Sequence, residues 1–314
     1  MSAALITFAT LSVSELICTT PTLAPTESVA NVMSAADIAC YAAKDEGRNR
    51  IHLYEADGLS HPRHREMHWV ARVTRAAEEN RLELYFQPIR PVNERPGPSF
   101  NELLVRLRDD DGRLVPPGEF IPAAERYNVM SVIDRWVVSR AIRCLTEWRE
   151  QGKALPLLAV NLSGTLLNDQ SFIDFVMQHV EDTVLAGALC FEITETAAVT
   201  NLSNVAFVMR ELKTRGCKFS LDDFGTGLSS FMYLKSLPVD YLKIDGQFVR
   251  RIADDPVDRS MVEAVCKVGR TLGIETVAEC VEVQSVLDEL GRIGVDYAQG
   301  YFVARPEPIV QLLL

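Results

Sequence analysis

The chain has 314 residues, 47% of them hydrophobic and 24% charged, and its 43 Asp and Glu against 32 Lys and Arg give a formal net charge of −11. This composition is that of a globular protein able to bury a large core. The acid excess excludes a nonspecific binder of DNA or RNA polymers, because such a protein displaces counterions with a basic surface. A small anionic ligand remains compatible with it, provided that metal ions or a few Arg and Lys side chains receive the charge.

The seven cysteines are odd in number and never spaced as Cys-x-x-Cys. This spacing indicates neither a zinc ribbon nor a disulfide framework, and it suits a reducing cytoplasm. No Lys or Arg precedes the mildly apolar run at residues 3–13, and Glu15 stops the run well short of the roughly 20 residues of a membrane span. We therefore expect a cytoplasmic protein with no membrane segment in this chain.

Residues 1–54 have the pattern of an incomplete α+β unit. A β-like run at 5–13 and a Pro/Thr-rich loop precede a predicted helix over 34–46, which a glycine follows as a good C-cap. Residues 55–69 are predicted to be a polar linker rich in His, Pro and Arg. Next to this linker, apolar side chains at helical spacing predict a helix over 69–80.

From residue 82 onward, short apolar runs rich in β-branched side chains alternate with helical patterns. The predicted strands are 82–89, 100–107, 157–162, 189–193, 218–221, 241–244, 274–278 and 298–303, and the main predicted helices are 131–151, 170–181, 202–214, 259–271 and 283–290. Eight strands alternating with helices predict an α/β fold of the (β/α)₈ barrel type. A doubly wound open sheet is the alternative, although no Gly-x-Gly-x-x-Gly follows an early strand.

Polar side chains recur at or near the end of these strand-like runs. They are Glu102, Asn161, Glu192, Asp222, Asp223, Lys243, Glu279 and Gln299. One acid in a strand is more often a solvated or capping residue, but so many at the same place in the repeating unit are hard to explain by chance. Because the carboxyl ends of parallel barrel strands meet at one face, we expect these residues to share a mouth. Carboxylates crowded there need a bound cation to limit repulsion and desolvation.

Oxygen ligands from Glu, Asp and Asn suit Mg²⁺ or Mn²⁺ better than zinc. The adjacent Asp222 and Asp223 suggest two metal ions with one aspartate bridging, which is how phosphodiesterases support an in-line displacement. A buried Lys243 beside them can orient the attacking water or help to deprotonate it.

Motifs in this part of the chain resemble those of the EAL family and occur in the family's order. They are YFQPI at 85–89, ELLVR at 102–106, FIPAAE at 120–125, NLS at 161–163, EITE at 192–195, DDFGTG at 222–227, KID at 243–245, AECVE at 278–282 and QGY at 299–301. The resemblance covers residues 70–314. It implies a phosphodiesterase that opens cyclic di-GMP to linear 5'-pGpG, built on a modified TIM barrel whose first strand is antiparallel. It also implies two Mg²⁺ or Mn²⁺ ions per site and a homodimer through the barrel.

The resemblance further implies individual roles. One metal ion would be held by Glu102, Asn161, Glu192 and Asp222, and the second by Asp223 and Glu279 with Asp222 bridging. The implied catalytic residues are Lys243, Glu279 and Glu102, with Lys243 positioning and activating the water. Glu195 would anchor the loop after Asp223, which the family links to metal and substrate binding and to the dimer interface. Gln87, Arg106 and Gln299 would contact the dinucleotide, Arg106 through a phosphate.

Two residues depart from the family pattern. Leu103 stands where the signature triplet has Ala, and Cys280 replaces the usual Gly after Glu279, where a larger side chain can shift Glu279 and weaken the second metal site. Residues 1–54 resemble only the last part of a GGDEF domain, through ADIACYAAK at 36–44 and GRNR at 47–50. The GGDEF signature itself is absent, so no diguanylate cyclase activity is expected.

Two other functions compete with hydrolysis. A catalytically silent EAL module would bind cyclic di-GMP as a receptor, but silent members usually lose metal ligands or the lysine, and here all are present. A barrel lyase or aldolase would use Lys243 as a Schiff base and need no divalent metal.

Overall fold

The computed structural model describes residues 8–12, 15–19, 62–93, 99–180, 183–225 and 231–313, so the helix predicted over 34–46 lies outside the described residues. The chain separates into two compact units, one formed by Met1–Arg81 and Leu107–Val129 and the other by Leu82–Arg106 and Met130–Leu314. In chain order the elements are β1 (Phe8–Ser12), β2 (Glu15–Thr19), α1 (Pro62–Glu78), β3 (Leu82–Pro91), β4 (Phe100–Arg108), β5 (Leu114–Val115), α2 (Pro117–Arg126), α3 (Met130–Glu150), β6 (Leu157–Asn161), α4 (Gln170–His179), α5 (Thr183–Gly187), β7 (Leu189–Thr194), α6 (Glu195–Thr200), α7 (Leu202–Thr214), β8 (Lys218–Phe224), β9 (Tyr241–Ile244), α8 (Gly246–Val249), α9 (Pro256–Leu272), β10 (Glu275–Ala278), α10 (Gln284–Ile293), β11 (Tyr297–Ala298) and β12 (Glu307–Pro308), with 3₁₀ turns at Leu166–Asn168, Phe231–Ser236 and Ile309–Gln311.

The first unit contains a two-stranded antiparallel ribbon, β1 with β2, and the helices α1 and α2, which pack together. The rings of Trp69 on α1 and Phe120 on α2 lie 6.3 Å apart. Helix α1 begins at Pro62, seven residues before the predicted start at Trp69. Proline is well tolerated at a first helical position, where its fixed φ suits the helix and its missing N–H is not needed. The helix therefore reaches into the stretch predicted as a polar linker, while the domain boundaries themselves stay a prediction.

The second unit is an eight-stranded barrel. Its strands follow the order β3-β11-β10-β9-β8-β7-β6-β4, and pairing of β3 with β4 closes the ring. Around this ring, each neighbouring pair among β4, β6, β7, β8, β9, β10 and β11 is parallel. Strand β3 runs antiparallel to β11, with Arg90 opposite Ala298. The predicted barrel with an antiparallel first strand is thus confirmed, and the open doubly wound sheet is wrong.

Aromatic side chains fill the barrel interior near the start of its strands. The Phe100 ring lies 4.8 Å from that of Tyr241 and 5.9 Å from that of Tyr297. These residues belong to β4, β9 and β11, which are not neighbours in the sheet, so their rings meet inside the ring of strands. This packed layer leaves the opposite, carboxyl end of the strands for polar residues.

Two strand ends differ from the predictions. Strand β11 stops at Ala298 rather than continuing to 303, because the chain turns after it, with the N–H groups of Val303 and Ala304 both donating to the Gly300 carbonyl at 3.0 Å. Strand β8 extends past the predicted end at 221 to Phe224, and its register with β9 shifts between Leu221 and Phe224. A bulge of this kind re-aims the side chains beside it. No helix among the described residues has the length and apolarity to cross a membrane.

Candidate functional site

The polar residues predicted to converge do so at the carboxyl face of the barrel. Asn161 ends β6, Asp222 lies near the end of β8, Lys243 near the end of β9, and Glu279 directly follows β10. Parallel strands bring these ends to one face, which is where barrel enzymes carry their chemistry.

Lys243 lies at the centre of this cluster and is only 1% exposed. Its Nζ is 2.8 Å from Glu279 Oε1, 3.0 Å from Glu192 Oε2, 3.2 Å from Asp222 Oδ1 and 3.6 Å from Glu102 Oε2. Burial acts to lower the pKa of Lys243, but the four carboxylates raise it well above its usual value. This raised pKa favours the ammonium form of Lys243, which argues against a Schiff-base lyase or aldolase, since those enzymes need a neutral amine.

The positive charge of Lys243 does not fully offset the effect of burial on the carboxylates around it. Burial raises the pKa of Glu192 well above its usual value and that of Glu279 to about 7, and in both cases Lys243 only partly opposes the effect. Glu102 is also buried, yet the Lys243 charge and hydrogen bonds from Gln299 and Asn161 hold the pKa of Glu102 below its usual value. The surroundings thus shift the pKa values of these acids in opposite directions, and a further cation would favour the ionised form of all of them.

A hydrogen-bond chain of side-chain amides holds Glu102 in place. Asn161 Nδ2 donates to Glu102 Oε1 at 2.8 Å, and Gln299 Nε2 donates to Glu102 Oε2 at 2.6 Å. Gln299 Nε2 also donates to Gln87 Oε1 at 3.1 Å, and Gln87 Nε2 donates to the Ala304 carbonyl at 3.0 Å. Both oxygens of Glu102 are consequently oriented by β6 and by the segment after β11.

The bulge in β8 determines the orientation of the adjacent Asp222 and Asp223. Asp223 adopts φ +54°, and its N–H donates to Asp222 Oδ1 at 3.0 Å. Left-handed backbone is uncommon for a residue with a side chain, although Asp tolerates it better than most. Burial and the neighbouring Asp222 and Asp245 raise the pKa of Asp223. This local geometry brings consecutive carboxylates to the same mouth, which a regular strand would direct to opposite faces.

The donor set fits a hard divalent cation. One carboxylate oxygen from each of Asp222, Asp223 and Glu279 lies within 4.8 Å of the others. Glu192 Oε1 is buried and, within the described part of the chain, has no hydrogen-bond partner. A buried oxygen left without a partner is costly unless a ligand satisfies it. All the donors are oxygens, as Mg²⁺ or Mn²⁺ prefers.

Glu195 joins two strand ends. It is 3% exposed at the start of α6, where the Thr194 side chain caps the helix, and its Oε2 accepts a hydrogen bond from the Gly225 N–H at 3.0 Å. Gly225 directly follows β8, so this bond ties the segment after β7 to the segment carrying Asp222 and Asp223. Burial and the Glu195 carboxylate also raise the pKa of Tyr233, which lies beyond this segment.

Arg106 lies beside the site rather than at its centre. Its guanidinium carbon lies 5.3 Å from the Tyr85 ring centroid, and one of its nitrogens donates to the Val105 carbonyl at 2.9 Å. Burial lowers the pKa of Arg106, while Tyr85, Tyr301 and Glu102 act to raise it. The structure thus brings Gln87, Glu102 and Gln299 together in one cavity lining and places Arg106 beside the Tyr85 ring.

A cavity of about 280 Å³ opens beside these residues. Its lining consists of Gln87, Glu102, Arg250, Glu279, Cys280, Glu282, Gln299, Gly300 and Tyr301. Arg250, Glu282 and Tyr301 are not among the site residues predicted from the sequence. Glu282 and Tyr301 do lie in the motifs AECVE and QGY, and all three residues lie in segments that follow barrel strands at their carboxyl ends, which was the available signal.

Cys280, which the sequence marks as a departure, adopts φ +54°. The left-handed backbone explains why glycine suits this position. Glu279 nevertheless keeps its 2.8 Å contact with Lys243, so the larger side chain does not remove Glu279 from the cluster.

Comparison with known proteins gives consistent matches. The chain is 40% identical over 294 residues to the cyclic di-GMP phosphodiesterase PdeB of Shewanella oneidensis, covering 91% of this chain and 34% of PdeB. It is 34% identical over 284 residues to the bifunctional diguanylate cyclase/cyclic di-GMP phosphodiesterase MucR of Pseudomonas aeruginosa, covering 90% of this chain and 41% of MucR. A solved structure of the PaMucR phosphodiesterase in complex with c-di-GMP matches with a TM-score of 0.71 and 33% identity, over 78% of this chain and 100% of that chain.

The chain spans between about a third and two fifths of the length of these two curated relatives. The EAL-domain family matches residues 70–306, which include every strand of the closed barrel and every acid around Lys243. The chain therefore belongs to the family of EAL domains.

Proposed function

We propose that the chain is a metal-dependent phosphodiesterase that hydrolyses cyclic di-GMP to linear 5'-pGpG. The observation that carries this proposal is the full set of carboxylates around Lys243, with four acids within 2.8–3.6 Å of its Nζ. A module that only bound the dinucleotide would not need these acids. The relatives PdeB and MucR are both named as cyclic di-GMP phosphodiesterases, MucR as a bifunctional one. These names support the same substrate.

In this proposal Glu102, Asn161, Glu192 and Asp222 would hold one Mg²⁺ or Mn²⁺ ion, and Asp222, Asp223 and Glu279 would hold a second. Two such ions supply charge stabilisation for the phosphate and a nucleophile at neutral pH. The unpartnered Glu192 Oε1 and the close carboxylates of Asp222, Asp223 and Glu279 support this division.

The residues of the chain orient the reactants. Lys243, whose pKa is raised by the surrounding carboxylates, donates hydrogen bonds that position the attacking water. The same ammonium group stabilises the negative charge that develops on the phosphate. Gln299, whose Oε1 has no partner within the described residues, lies beside the scissile phosphate, and Gln87 lies on the same wall. The forked donors of Arg106 suit a phosphate of the dinucleotide.

The second candidate is a receptor that binds cyclic di-GMP without cleaving it. The strained Cys280 next to Glu279 is the observation that favours this alternative, because strain at that position can weaken the second metal site. One experiment separates the two functions. Purified protein is incubated with cyclic di-GMP and Mg²⁺ or Mn²⁺, with and without chelator, and pGpG is resolved by chromatography.

We expect pGpG with metal and none with chelator, and we expect Asp222→Asn to give none under either condition. A matched control is Asp174→Asn, an acid on α4 outside the site, which should hydrolyse as the wild type does. Tight binding of cyclic di-GMP with no pGpG under any metal would instead establish the receptor.

We also propose a homodimer formed through the barrel. The turn at Phe231–Ser236 and helix α9 carry an exposed apolar face that includes Phe231, Met232, Val257, Met261 and Leu272. Contiguous apolar surface of this kind is typical of an interface, and a symmetric pair of copies is its commonest use. Glu195 supports a link from this face to the metal site, since it accepts a hydrogen bond from the Gly225 N–H and lines one small cavity together with Phe231 and Met261.

A cytoplasmic location forms part of the proposal. Cys144, Cys190, Cys217 and Cys266 are free and buried, and Cys280 is free and half-buried. Unpaired cysteines of this kind suit a reducing compartment.

A further inference from the structure

Two buried polar atoms without a partner lie on neighbouring strands of the barrel. Ser220 on β8 is fully buried, and its Oγ has no hydrogen-bond partner among the described residues. Glu192 on β7 is buried to the same degree, and its Oε1 also lacks a partner in the described part of the chain. Because a buried polar atom left unpaired is costly, two of them together indicate an interaction that forms only when a ligand is present.

The strand register brings these two side chains together. Glu192 is paired with Ser220 in the parallel register of β7 and β8, and neighbouring strands lie about 4.8 Å apart. Side chains alternate along a strand, so Ser220 faces the same side as Asp222, whose Oδ1 is 3.2 Å from Lys243 Nζ. Glu192 Oε2 lies 3.0 Å from the same nitrogen. The hydroxyl and the carboxylate therefore occupy adjacent positions on the inner face of the barrel.

The Ser220 hydroxyl is a donor beside an oxygen that needs one. An ionised carboxylate only accepts hydrogen bonds, whereas a serine hydroxyl can donate one. Glu192 Oε2 already accepts from Lys243 Nζ, which leaves Oε1 for a ligand and for a second donor. On the other side of Ser220, β9 carries Tyr241, whose hydroxyl is already engaged by Lys218 Nζ at 3.2 Å. Glu192 Oε1 is thus the acceptor toward which rotation of the Ser220 hydroxyl is directed.

A carboxylate that holds a metal ion is normally oriented by a hydrogen-bond donor, and loss of such a donor weakens metal binding. Glu102 has two donors of this kind, Asn161 Nδ2 at 2.8 Å and Gln299 Nε2 at 2.6 Å, one on each oxygen. Glu192 has the Lys243 ammonium on Oε2 and, within the described residues, nothing on Oε1. Of these two acids, Glu192 is therefore the one whose second oxygen still needs support.

We propose that Ser220 is a positioning residue of the first metal site, where its hydroxyl donates to Glu192 Oε1 and orients this carboxylate for the ion. The inference rests on the proposed function, which assigns Glu192 to the first Mg²⁺ or Mn²⁺ ion. Ser220 acts through Glu192 and touches neither the ion nor the dinucleotide. Its hydroxyl is unpaired in the metal-free protein, so its contribution appears when the ion binds.

The test compares Ser220→Ala, which removes the hydroxyl, with Ser220→Thr, which keeps it. The matched control is Ser139→Ala on α3, whose hydroxyl donates to the Arg135 carbonyl at 2.6 Å. Electron paramagnetic resonance measures Mn²⁺ binding to the protein without dinucleotide. Thermal unfolding is followed with chelator and with Mg²⁺, and hydrolysis of cyclic di-GMP is measured against Mn²⁺ concentration.

We expect Ser220→Ala to raise the Kd of one of the two Mn²⁺ ions about tenfold, and Ser220→Thr to stay within about threefold of the wild type. The Mn²⁺ concentration for half-maximal hydrolysis should rise by the same factor in Ser220→Ala, with kcat at saturating Mn²⁺ changed less than about twofold. With chelator, the Tm of Ser220→Ala should equal or exceed that of the wild type, because an unpaired buried hydroxyl is removed. The rise in Tm on adding Mg²⁺ should be smaller than in the wild type. Ser139→Ala should bind Mn²⁺ as the wild type does.

Equal Mn²⁺ affinity of Ser220→Ala and the wild type would overturn the proposal, as would an equally large loss in Ser220→Thr. A drop in the Tm of Ser220→Ala that is the same with chelator and with Mg²⁺ would show a packing role alone, which also overturns it, and so would a wild type that binds no Mn²⁺. The binding measurement keeps this result separate from hydrolysis. If the wild type binds Mn²⁺ but does not cleave cyclic di-GMP, the proposed function fails, while the Mn²⁺ affinity of Ser220→Ala still decides the role of Ser220.

Discussion

At the scale of single residues, Lys243 determines the state of the site. A buried ammonium group is unfavourable by itself, and its neighbours are acids that burial also penalises. Each therefore stabilises the charged form of the other. Removing the lysine would leave several carboxylates buried without a partner. The resulting loss of stability would exceed the net stability that the pairing contributed.

We predict that Lys243→Ala lowers kcat by about 100-fold or more and destabilises the metal-free protein by about 3–5 kcal/mol. Turnover of cyclic di-GMP and urea unfolding measure the two effects. The control is Lys213→Ala, whose Nζ pairs with the half-exposed Asp240 at 2.7 Å away from the site and should cost about 1 kcal/mol or less. Wild-type turnover in the Lys243 variant would contradict the role assigned to this residue.

The raised pKa values of Glu192 and Glu279 predict a pH dependence. Because burial raises these values in the folded protein, the native state binds more protons than the unfolded state between the ordinary carboxyl value of 4.5 and about 7 for Glu279. The free energy of unfolding of the metal-free protein then falls as pH rises through this interval. Metal binding displaces these protons, so Mg²⁺ should raise Tm more at pH 8 than at about pH 6.

Thermal unfolding across pH, with chelator and with Mg²⁺, checks this prediction. Glu279→Gln cannot ionise at this position, so it should flatten the metal-free profile. A metal-free Tm that rises steadily from about pH 5 to pH 8 would show that burial does not govern these two acids.

At the scale of elements, the site depends on irregular backbone where strands end. The bulge in β8 aims Asp222 and Asp223 together, and the left-handed Cys280 turns the chain immediately after β10. Gly246 and Gly300 then allow the segments after β9 and β11 to approach the segment after β10. The geometry of the mouth is set by these close approaches between neighbouring βα segments.

We predict that Gly246→Ala destabilises the protein by about 1–3 kcal/mol, because the added Cβ overlaps the Cys280 side chain. Cys280→Gly in the same chain should recover most of this loss, and a double-mutant cycle of urea unfolding measures the coupling. Gly187→Ala is the control, since a Cβ there meets nothing within 4 Å. Strictly additive effects of the two site variants would mean that the two side chains do not compete for the same space.

At the scale of the whole molecule, the proposed dimer face is an exposed apolar surface on α9 and on the turn at Phe231–Ser236. Met232 is 75% exposed, and Val257 and Met261 follow one another at helical spacing. Surfaces of this type are normally covered by a partner. The face adjoins the segment that Glu195 holds, so association and catalysis are expected to influence one another.

We predict that the wild type sediments as a dimer and that Met232→Asp combined with Met261→Asp sediments as a monomer, because charge on an apolar interface is strongly unfavourable. Analytical ultracentrifugation measures both. Val310→Asp, on the exposed turn at Ile309–Gln311, should remain dimeric. A wild type that sediments as a monomer at micromolar concentration would contradict the proposed interface.

The sequence was enough to predict the barrel and the meeting of its acids, because β-branched runs alternated with helices and a polar residue recurred near each strand end. The short β11 and the early start of α1 were not predicted. A close backbone approach at Gly300 and a proline at the start of a helix leave no hydrophobic periodicity in the sequence. Arg250 escaped for another reason. It lines the cavity in contact with Cys280, which lies 30 residues further along the chain, and spacing along the chain does not show that contact.

The ammonium group of Lys243 has one more consequence. By filling the centre of the carboxylate cluster, Lys243 supplies part of the positive charge that the proposed ions would add. If those ions bind, the ligands would keep their arrangement when the ions leave, and rebinding would not require refolding. Hydrolysis would then depend on the supply of metal ions as well as on the amount of dinucleotide.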